Sequence, residues 1–427
     1  EPEATFGGLD LGDGATPLPE AVWYTAPETG AGVTYRCPPG ALAEARFLTA
    51  DLLTDTIHLT AFRLELLEAD SDRVFRLAFA MLPQCSARMR MRMEAVDQNR
   101  WRFPREGAWL KPMAGGDRVD LGKVDRLRIS VARKSEAPVR FCLTPVTAVV
   151  EEPRRLGKLV LPRGKLLDEL GQTRLATWPG RSKDAEEVTA RLKSQVAAAP
   201  GQAWPESFGR WGGWKERRFE ATGFFRTAHD GTRSWLVDPD GQAFWSAGLD
   251  CVRVDTTACY EGLKTALTWL PEKDGPYREI FSENGGQPHV NYLKANFIRA
   301  FGPDTWHDRW ATISLAELRR LGFNTVANWS EWEIARGTPD ARSSCADAPS
   351  SCAYVRPLRP RFAATPLVYR DFPDVFDERF AQDAAAYAET LRETADDPAL
   401  IGYFLMNEPT WGFAQETPAA GMLFNAP

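Results

Sequence analysis

The most constraining stretch of this 427-residue chain lies close to its end. Leu400-Ile401-Gly402-Tyr403-Phe404-Leu405-Met406 carries no charged side chain at either odd or even positions. A strand with one face in water alternates apolar and polar residues, so a strand with no polar face must be covered on both sides. That is the condition inside a parallel sheet flanked by helices. The run is far shorter than the ~20 apolar residues that cross a bilayer. It stops abruptly at Asn407-Glu408-Pro409, with Trp411 just beyond. A buried strand ending in a carboxylate predicts parallel α/β architecture with its chemistry at the strand's C-terminal end.

The text upstream agrees from about residue 219 onward, where strand and helix signals alternate. Segments 234–237 and 243–246 flank Asp238-Pro239-Asp240-Gly241, a hairpin turn in which the two aspartates are turn formers. The second arm continues through Gly248-Leu249-Asp250 as a first parallel strand. Ser314 and Glu317 have capping-box spacing, Ile313 can staple to Leu318, and Gly322 can end that helix. Residues 323–328 then predict a second strand and 366–369 a third. A helix with Phe380, Ala384, Tyr387 and Leu391 on one face precedes the run at 400–406. Residues 219–427 are therefore expected to form the N-terminal part of a (β/α)8 TIM-barrel. With inserts near 253–310 and 333–362, about four βα units fit.

Residues 1–152 read differently. Met89, Met91 and Met93 alternate with Arg88, Arg90 and Arg92, and Phe75, Leu77, Phe79 and Met81 repeat the period of two, as do Leu127, Ile129 and Val131. Short strands between Gly, Pro and Asp turns predict a β-sandwich. The three arginines are expected on a solvated face, with contact to an anionic polysaccharide as the alternative. Residues 153–218 predict an ordered connector with one helix. Asp184 can cap it, Glu187 completes the box, and Val188, Leu192 and Val196 form its stripe. Trp178-Pro179-Gly180, Trp204-Pro205 and Trp211-Gly212-Gly213-Trp214 suit a segment packed by its own aromatics.

Composition narrows the chemistry. There are only four histidines, His58, His229, His289 and His307, none at a metal-ligand spacing. That argues against zinc hydrolysis and against a nucleophile–histidine relay, and no metal or cofactor is expected. Fifteen tryptophans offer flat apolar faces suited to cores and to sugar rings. A net charge of −6 without a basic arm disfavours nucleic acid, and no membrane span is expected. The chain starts at Glu1 without Met, which suggests a removed leader or tag, and the expected location is secreted or periplasmic. Of seven cysteines at least one must lack a partner within the chain. Cys345 and Cys352 flank a polar loop and could close a disulfide or stand as two thiols.

At the strand end, Glu408 crowded by Trp411 and apolar walls is a candidate general acid/base, because desolvation raises a carboxyl pKa towards neutrality. Asn407 can hydrogen-bond a sugar hydroxyl. Softer candidates follow the other strands: Asp250 and Arg253 the first, Asn328, Trp329 and Trp332 the second, Arg370 and Asp371 the third. Trp329 and Trp411 are the preferred stacking residues. Asp250, Asp371, Glu331 and Glu333 are read as binding or orienting groups.

Strand–Asn407-Glu408-Pro409 resembles the fourth-strand signature of glycoside hydrolase clan A, the retaining (β/α)8 glycosidases. More narrowly the chain resembles glycoside hydrolase family 50, the β-agarases. The likeness is carried by Leu167-Asp168-Glu169-Leu170-Gly171-Gln172 with Trp178-Pro179-Gly180, by Gly223-Phe224-Phe225-Arg226, and by Trp235-Leu236-Val237-Asp238-Pro239-Asp240-Gly241 running into Phe244 and Gly248-Leu249-Asp250-Cys251-Val252. The resemblance implies hydrolysis of β-1,4 bonds of agarose with retention, with Glu408 as acid/base, and a carbohydrate-binding-like sandwich ahead of the barrel. Other clan A specificities (β-galactosidase, mannanase, glucanase) remain open, as does a non-catalytic polysaccharide-binding protein with a relic half-barrel. In clan A the nucleophilic glutamate comes from the seventh strand, well beyond Glu408. It is therefore expected from sequence outside this chain, whether a C-terminal fragment or a second chain completing the barrel.

Overall fold

The alternating segments of the N-terminal region pair into two antiparallel sheets. One has the spatial order Pro2–Phe6, Gly32–Arg36, Val124–Arg133, Thr60–Glu68, Val74–Met81, Trp109–Gly116. In the other, Ala87–Arg92 lines one edge of Phe47–Thr54, whose opposite edge takes Thr147–Val149 and Val139–Leu143, followed by Val22–Ala26 and Asp10–Gly12. The computed structural model describes residues 2–97, 101–133, 138–336, 352–358, 362–369, 372–405 and 407. Every second residue of the paired strands turns inward, so Leu64, Leu77 and Ile129 share one register row and are all buried. Phe62 joins the sheets, with its ring 5.7 Å from Phe79 on its own sheet and 5.2 Å from Phe141 on the other. The expected sandwich is present.

The arginine face is solvated only in part: Arg92 is exposed as expected, but Arg88 is half-buried and Arg90 is buried. Met89, Met91 and Met93 are buried as the alternation implies. Opposite them, Arg88 grips Asp51 through two hydrogen bonds of 2.6 and 2.8 Å and donates to the Arg154 carbonyl at 2.9 Å. Arg90 is itself buried and pairs with Glu106 at 2.7 Å and with Glu152. Glu106 and Glu152 supply the acidic cover and the start of the connector adds the Arg154 carbonyl, none of which a period-two pattern can reveal. A buried guanidinium is tolerated only because it is paired.

The connector is ordered by specific bonds. Asp184 accepts from the Glu187 N–H at 2.9 Å and starts the helix Ala185–Ala198, while Glu187 reaches back to Lys183 N–H at 3.0 Å. Val188, Leu192 and Val196 are half-buried on the side facing the helix Tyr292–Phe301. Asp168 accepts from the N–H groups of Leu170 and Gln172, both at 2.9 Å, from Gln172 Nε2 at 3.0 Å and from Arg181 at 2.9 Å. Leu166, Leu263 and Ala266 extend the sandwich core towards the C-terminal region. The same seam is pinned by Arg155–Glu261 (2.6 Å) and by Gln287 Nε2 donating to Glu261 and to the Arg105 carbonyl.

Past the connector, the hairpin forms where expected, as Ser234–Val237 paired with Gln242–Phe244. It belongs to an antiparallel sheet with Trp214–Arg218 and Arg226–His229. Then comes a sheet of four parallel strands in the order Gly248–Leu249, Thr325–Val326, Ala353–Pro357, Leu400–Phe404. Two expectations are corrected. The helix before the second strand is Trp306–Arg320 and begins eight residues before Ser314, because Trp306 and Trp310 carry the buried stripe of Leu315 and Leu318 further towards the N-terminus. The third parallel strand is Ala353–Pro357, whereas Leu367–Tyr369 pairs antiparallel with Phe372–Pro373. Burial decides this: Ala353 and Tyr354 are fully covered and Leu367 lies largely open.

Asn324, at the start of the second strand and buried, ties these parts together. Its Nδ2 donates to the carbonyls of Gly212 and Trp245, both at 3.0 Å, and its Oδ1 accepts from Ala247 N–H at 3.0 Å and Thr325 Oγ1 at 3.1 Å. The Cys352 thiol donates to its carbonyl at 3.4 Å. Cys352 is a free, buried thiol whose pKa burial pushes up to about 11, and Cys345 lies outside the described residues.

The parallel sheet is open. Both of its outer strands leave apolar surface in solvent, with Phe404 45% and Leu249 40% exposed, and Trp245 ahead of the first strand 82% exposed. The last strand is therefore only half-buried along its length, although its composition demands cover on both faces.

Asp238 shows a cost inside the hairpin turn. Its Oδ1 accepts from Asp240 N–H at 3.0 Å and Gln242 N–H at 2.8 Å. Its Oδ2 and the Gln242 Oε1 are buried without a hydrogen-bond partner among the described residues, both against the turn of Gly209 and Gly213. Burial raises the carboxyl above its ordinary range. A raised acid pKa means that the folded state holds a proton the unfolded chain gives up. The associated stability is present below the unfolded value of about 3.9, and it is lost as pH rises through the folded value. Asp238→Asn keeps the Oδ1 acceptor and replaces the lone oxygen by a donor. Urea titrations should find this variant more stable than wild type by ~1 kcal/mol at pH 7, with the difference shrinking towards pH 4; parallel curves at both pH values would contradict it.

Candidate active site at the ends of the parallel strands

The first and second parallel strands are each two residues long, yet the chain beyond them stays paired. Ala327 N–H donates to the Leu249 carbonyl and Cys251 N–H to the Asn328 carbonyl, both at 2.9 Å. Val252 N–H goes to Ser330 Oγ at 3.0 Å, and Glu331 N–H returns to the Val252 carbonyl at 3.0 Å. Two side chains complete the contact: Arg253 Nη1 donates to the Trp329 carbonyl at 3.1 Å, and Glu331 Oε1 accepts from Val254 N–H at 2.9 Å. The loops thus run side by side as one wall at the C-terminal end of the sheet.

That wall contains two non-glycine residues in the left-handed region, Cys251 at φ +58° and Trp329 at φ +57°. Such residues are strained and persist only where the surroundings over-determine them, a condition common at functional sites. Asn328 between them is 3% exposed, and its carboxamide makes no hydrogen bond among the described residues.

The sequence candidates separate on this geometry. Asp250 is exposed directly after the first strand, and Asn407 is exposed three residues past the last. Arg253 is half-buried. Besides its bond to the Trp329 carbonyl it forms an ion pair with Asp255 at 2.6 Å, at an angle that is not a hydrogen bond's. Trp329 is half-buried, and its ring has no aromatic or cationic partner among the described residues. Trp332 is placed in the core at 8% exposure, stacked on Tyr354 at 5.5 Å with the guanidinium of Arg356 4.7 Å from its ring centre. Little of that ring is left for a ligand. The basis is a buried network in which Tyr354 and Arg336 both bind Asp397, at 3.1 and 3.0 Å, and Arg356 binds Thr394 at 2.9 Å. Glu333 is exposed. Glu408, Trp411, Arg370 and Asp371 lie outside the described residues.

Two side chains at the wall were not singled out by spacing. Ser330 takes a strand-like backbone bond with its hydroxyl, and His307 on the Trp306–Arg320 helix meets Glu331 Oε2 at 2.6 Å. Only the rarity of histidine in the chain marked the second. Among the described residues no cluster of three or more His, Cys, Asp or Glu is placed to hold a metal ion, and no helix is long and apolar enough to cross a membrane.

The two tryptophans should behave oppositely. Trp332→Ala is expected to cost ~3–5 kcal/mol in guanidinium denaturation, as a large ring lost from a packed core. Trp329→Ala should stay within about 1 kcal/mol of wild type. Equal losses would mean that both rings are structural.

No protein-family model matches the chain. In an alignment of 283 positions that covers 58% of its length, it is 25% identical to β-agarase B of Vibrio sp. (strain JT0107), and in one of 274 positions it is 26% identical to β-agarase A of the same organism. These matches span 28% and 26% of the two relatives' own lengths. Among solved structures, an exo-β-agarase superposes with a TM-score of 0.54 at 17% identity, covering 98% of this chain and 65% of the other. The agarase AgWH50C gives 0.52 at 17% identity, covering 96% and 63%. The chain is thus a distant homologue of β-agarases and shares with the solved agarases the fold of a β-sandwich followed by part of a (β/α) barrel.

Proposed function

We propose that this protein is a retaining glycoside hydrolase acting on a β-linked galactan, with the β-1,4 bonds of agarose as substrate. The four parallel strands are then the first four of an eight-stranded barrel, with residues 1–152 as the sandwich, 153–218 as the connector and 219–427 as the barrel portion. The observation that carries this reading is the strand-end wall, where two loops held side by side place left-handed backbone at Cys251 and Trp329, the little-exposed Asn328 and the half-buried Trp329 indole at a strand's C-terminal end. A polar side chain next to an aromatic ring suits a sugar, whose hydroxyls need partners and whose C–H face needs apolar contact. The distant homology to β-agarases supports the galactan class.

In this mechanism Glu408 protonates the leaving glycosidic oxygen, and a second carboxylate attacks the anomeric carbon to form a glycosyl-enzyme. Glu408 then removes a proton from the water that resolves it. The nucleophile must stand ~5–5.5 Å from the acid and comes from polypeptide beyond these four strands, a C-terminal segment or a second chain that also covers the open sheet edges. Asn407 and Asn328 hold sugar hydroxyls, Trp329 and Trp411 stack on rings, and Asp250, Asp371 and Arg253 orient the chain. Trp332 supports the wall from beneath. No cofactor takes part, and a polymer that cannot enter a cell puts the enzyme outside it, secreted or periplasmic.

With the barrel complete, Glu408→Gln should lower agarose hydrolysis by ~10²–10⁴-fold while a hexasaccharide cut from agarose still binds. Undiminished turnover would remove Glu408 from the mechanism. Asn328→Ala should weaken binding of the same hexasaccharide about tenfold. Wild-type protein that binds the sugar and cleaves no β-galactan would instead be a polysaccharide-binding protein.

A further inference from the structure

We propose that Glu331 and His307 form a latch that holds the two strand-end loops in their saccharide-binding shape, which makes Glu331 a positioning residue. The inference rests on the functional reading above for the ligand, but the latch itself stands on geometry.

Backbone bonds join the loops only as far as Val252, where Glu331 N–H meets its carbonyl at 3.0 Å. Beyond that point the Glu331 carboxylate takes over. One oxygen receives the Val254 N–H at 2.9 Å and the other meets His307 Nε2 at 2.6 Å. A single side chain therefore spans the first loop, the second loop and the helix Trp306–Arg320. The imidazole is a fixed anchor, because it lies between Trp306 and Trp310, whose ring centres are each 5.3 Å away and which are both buried. On the near side of Glu331 stand the left-handed Trp329 and the buried Asn328. Backbone in that region relaxes if its neighbours let go, so the latch has a task that loop packing alone does not perform. Both latch groups are partly exposed, Glu331 35% and His307 44%, and add little to the core.

The test uses the full chain with Glu331→Ala, Glu331→Gln and His307→Ala, read by hydrogen–deuterium exchange, thermal midpoint and affinity for a hexasaccharide cut from agarose. Glu331→Ala and His307→Ala should speed exchange at 249–254 and 327–331 about tenfold and weaken the hexasaccharide about tenfold, with the midpoint nearly unchanged. Glu331→Gln keeps an acceptor for Val254 and a donor for a neutral imidazole, so it should stay close to wild type. Wild-type exchange in both disrupting variants would overturn the latch, and faster exchange with unchanged affinity would overturn its positioning role. If wild-type protein ignores the hexasaccharide, the functional reading fails and the exchange data alone decide the latch.

Discussion

Asn324 is a buried amide whose two ends are both used, and the C-terminal half of the molecule is arranged around it. Its nitrogen holds the connector at Gly212 and the lead-in to the first parallel strand at Trp245, while its oxygen holds Ala247 on that same lead-in. Its backbone carbonyl meets the Cys352 thiol beside the third strand. A buried amide is stable only when fully bonded, so these segments must arrive in one arrangement or not at all. Gly212 packs so closely on the Asn324 side chain that a Cβ there would clash. The first two strands are too short to fix their register by ladder bonds alone, and the amide substitutes for the missing length.

The strand-end wall follows from that register. Once Gly248 lies opposite Thr325, the loops leave the sheet in parallel. Side chains then replace the backbone as hydrogen-bonding groups, first the Ser330 hydroxyl and then the Glu331 carboxylate. Strain at Cys251 and Trp329 is accommodated in this zone and nowhere else along the two strands. The open sheet edges are the counterpart of this order. A strand as apolar as Leu400–Phe404 is stable in water only with cover on both faces.

Much of this architecture was legible in the residues. Period-two runs around Leu64, Leu77 and Ile129 located the sandwich, and Asp184 and the Asp238 turn marked their elements because capping and turn chemistry are local. Long-range partners were not legible. Arg90 looked solvated because Glu106 and Glu152 reach it from other elements. Ser314 looked like a cap because its spacing to Glu317 is right, although Trp306 and Trp310 extend the same stripe. The third strand was misplaced because Ala353-Tyr354-Val355-Arg356-Pro357 contains an arginine, and that charge is buried through distant partners, Thr394, Thr390, Glu393 and the Trp332 ring. At the wall, Asn328 and Trp329 could be named from their place after a strand. Trp332 could not be separated from them, because the difference lies in Tyr354 and Arg356 packed on its ring.

The central claim is that the C-terminal ends of the four parallel strands form a galactan-binding mouth. A crystal structure of the protein soaked with a hexasaccharide cut from agarose tests it most directly. The account predicts sugar density across the ends of the strands Gly248–Leu249 and Thr325–Val326, within hydrogen-bonding reach of the Asn328 carboxamide and against the face of Trp329. Ordered sugar confined to the sandwich, or lying at the opposite end of the parallel sheet, would contradict it.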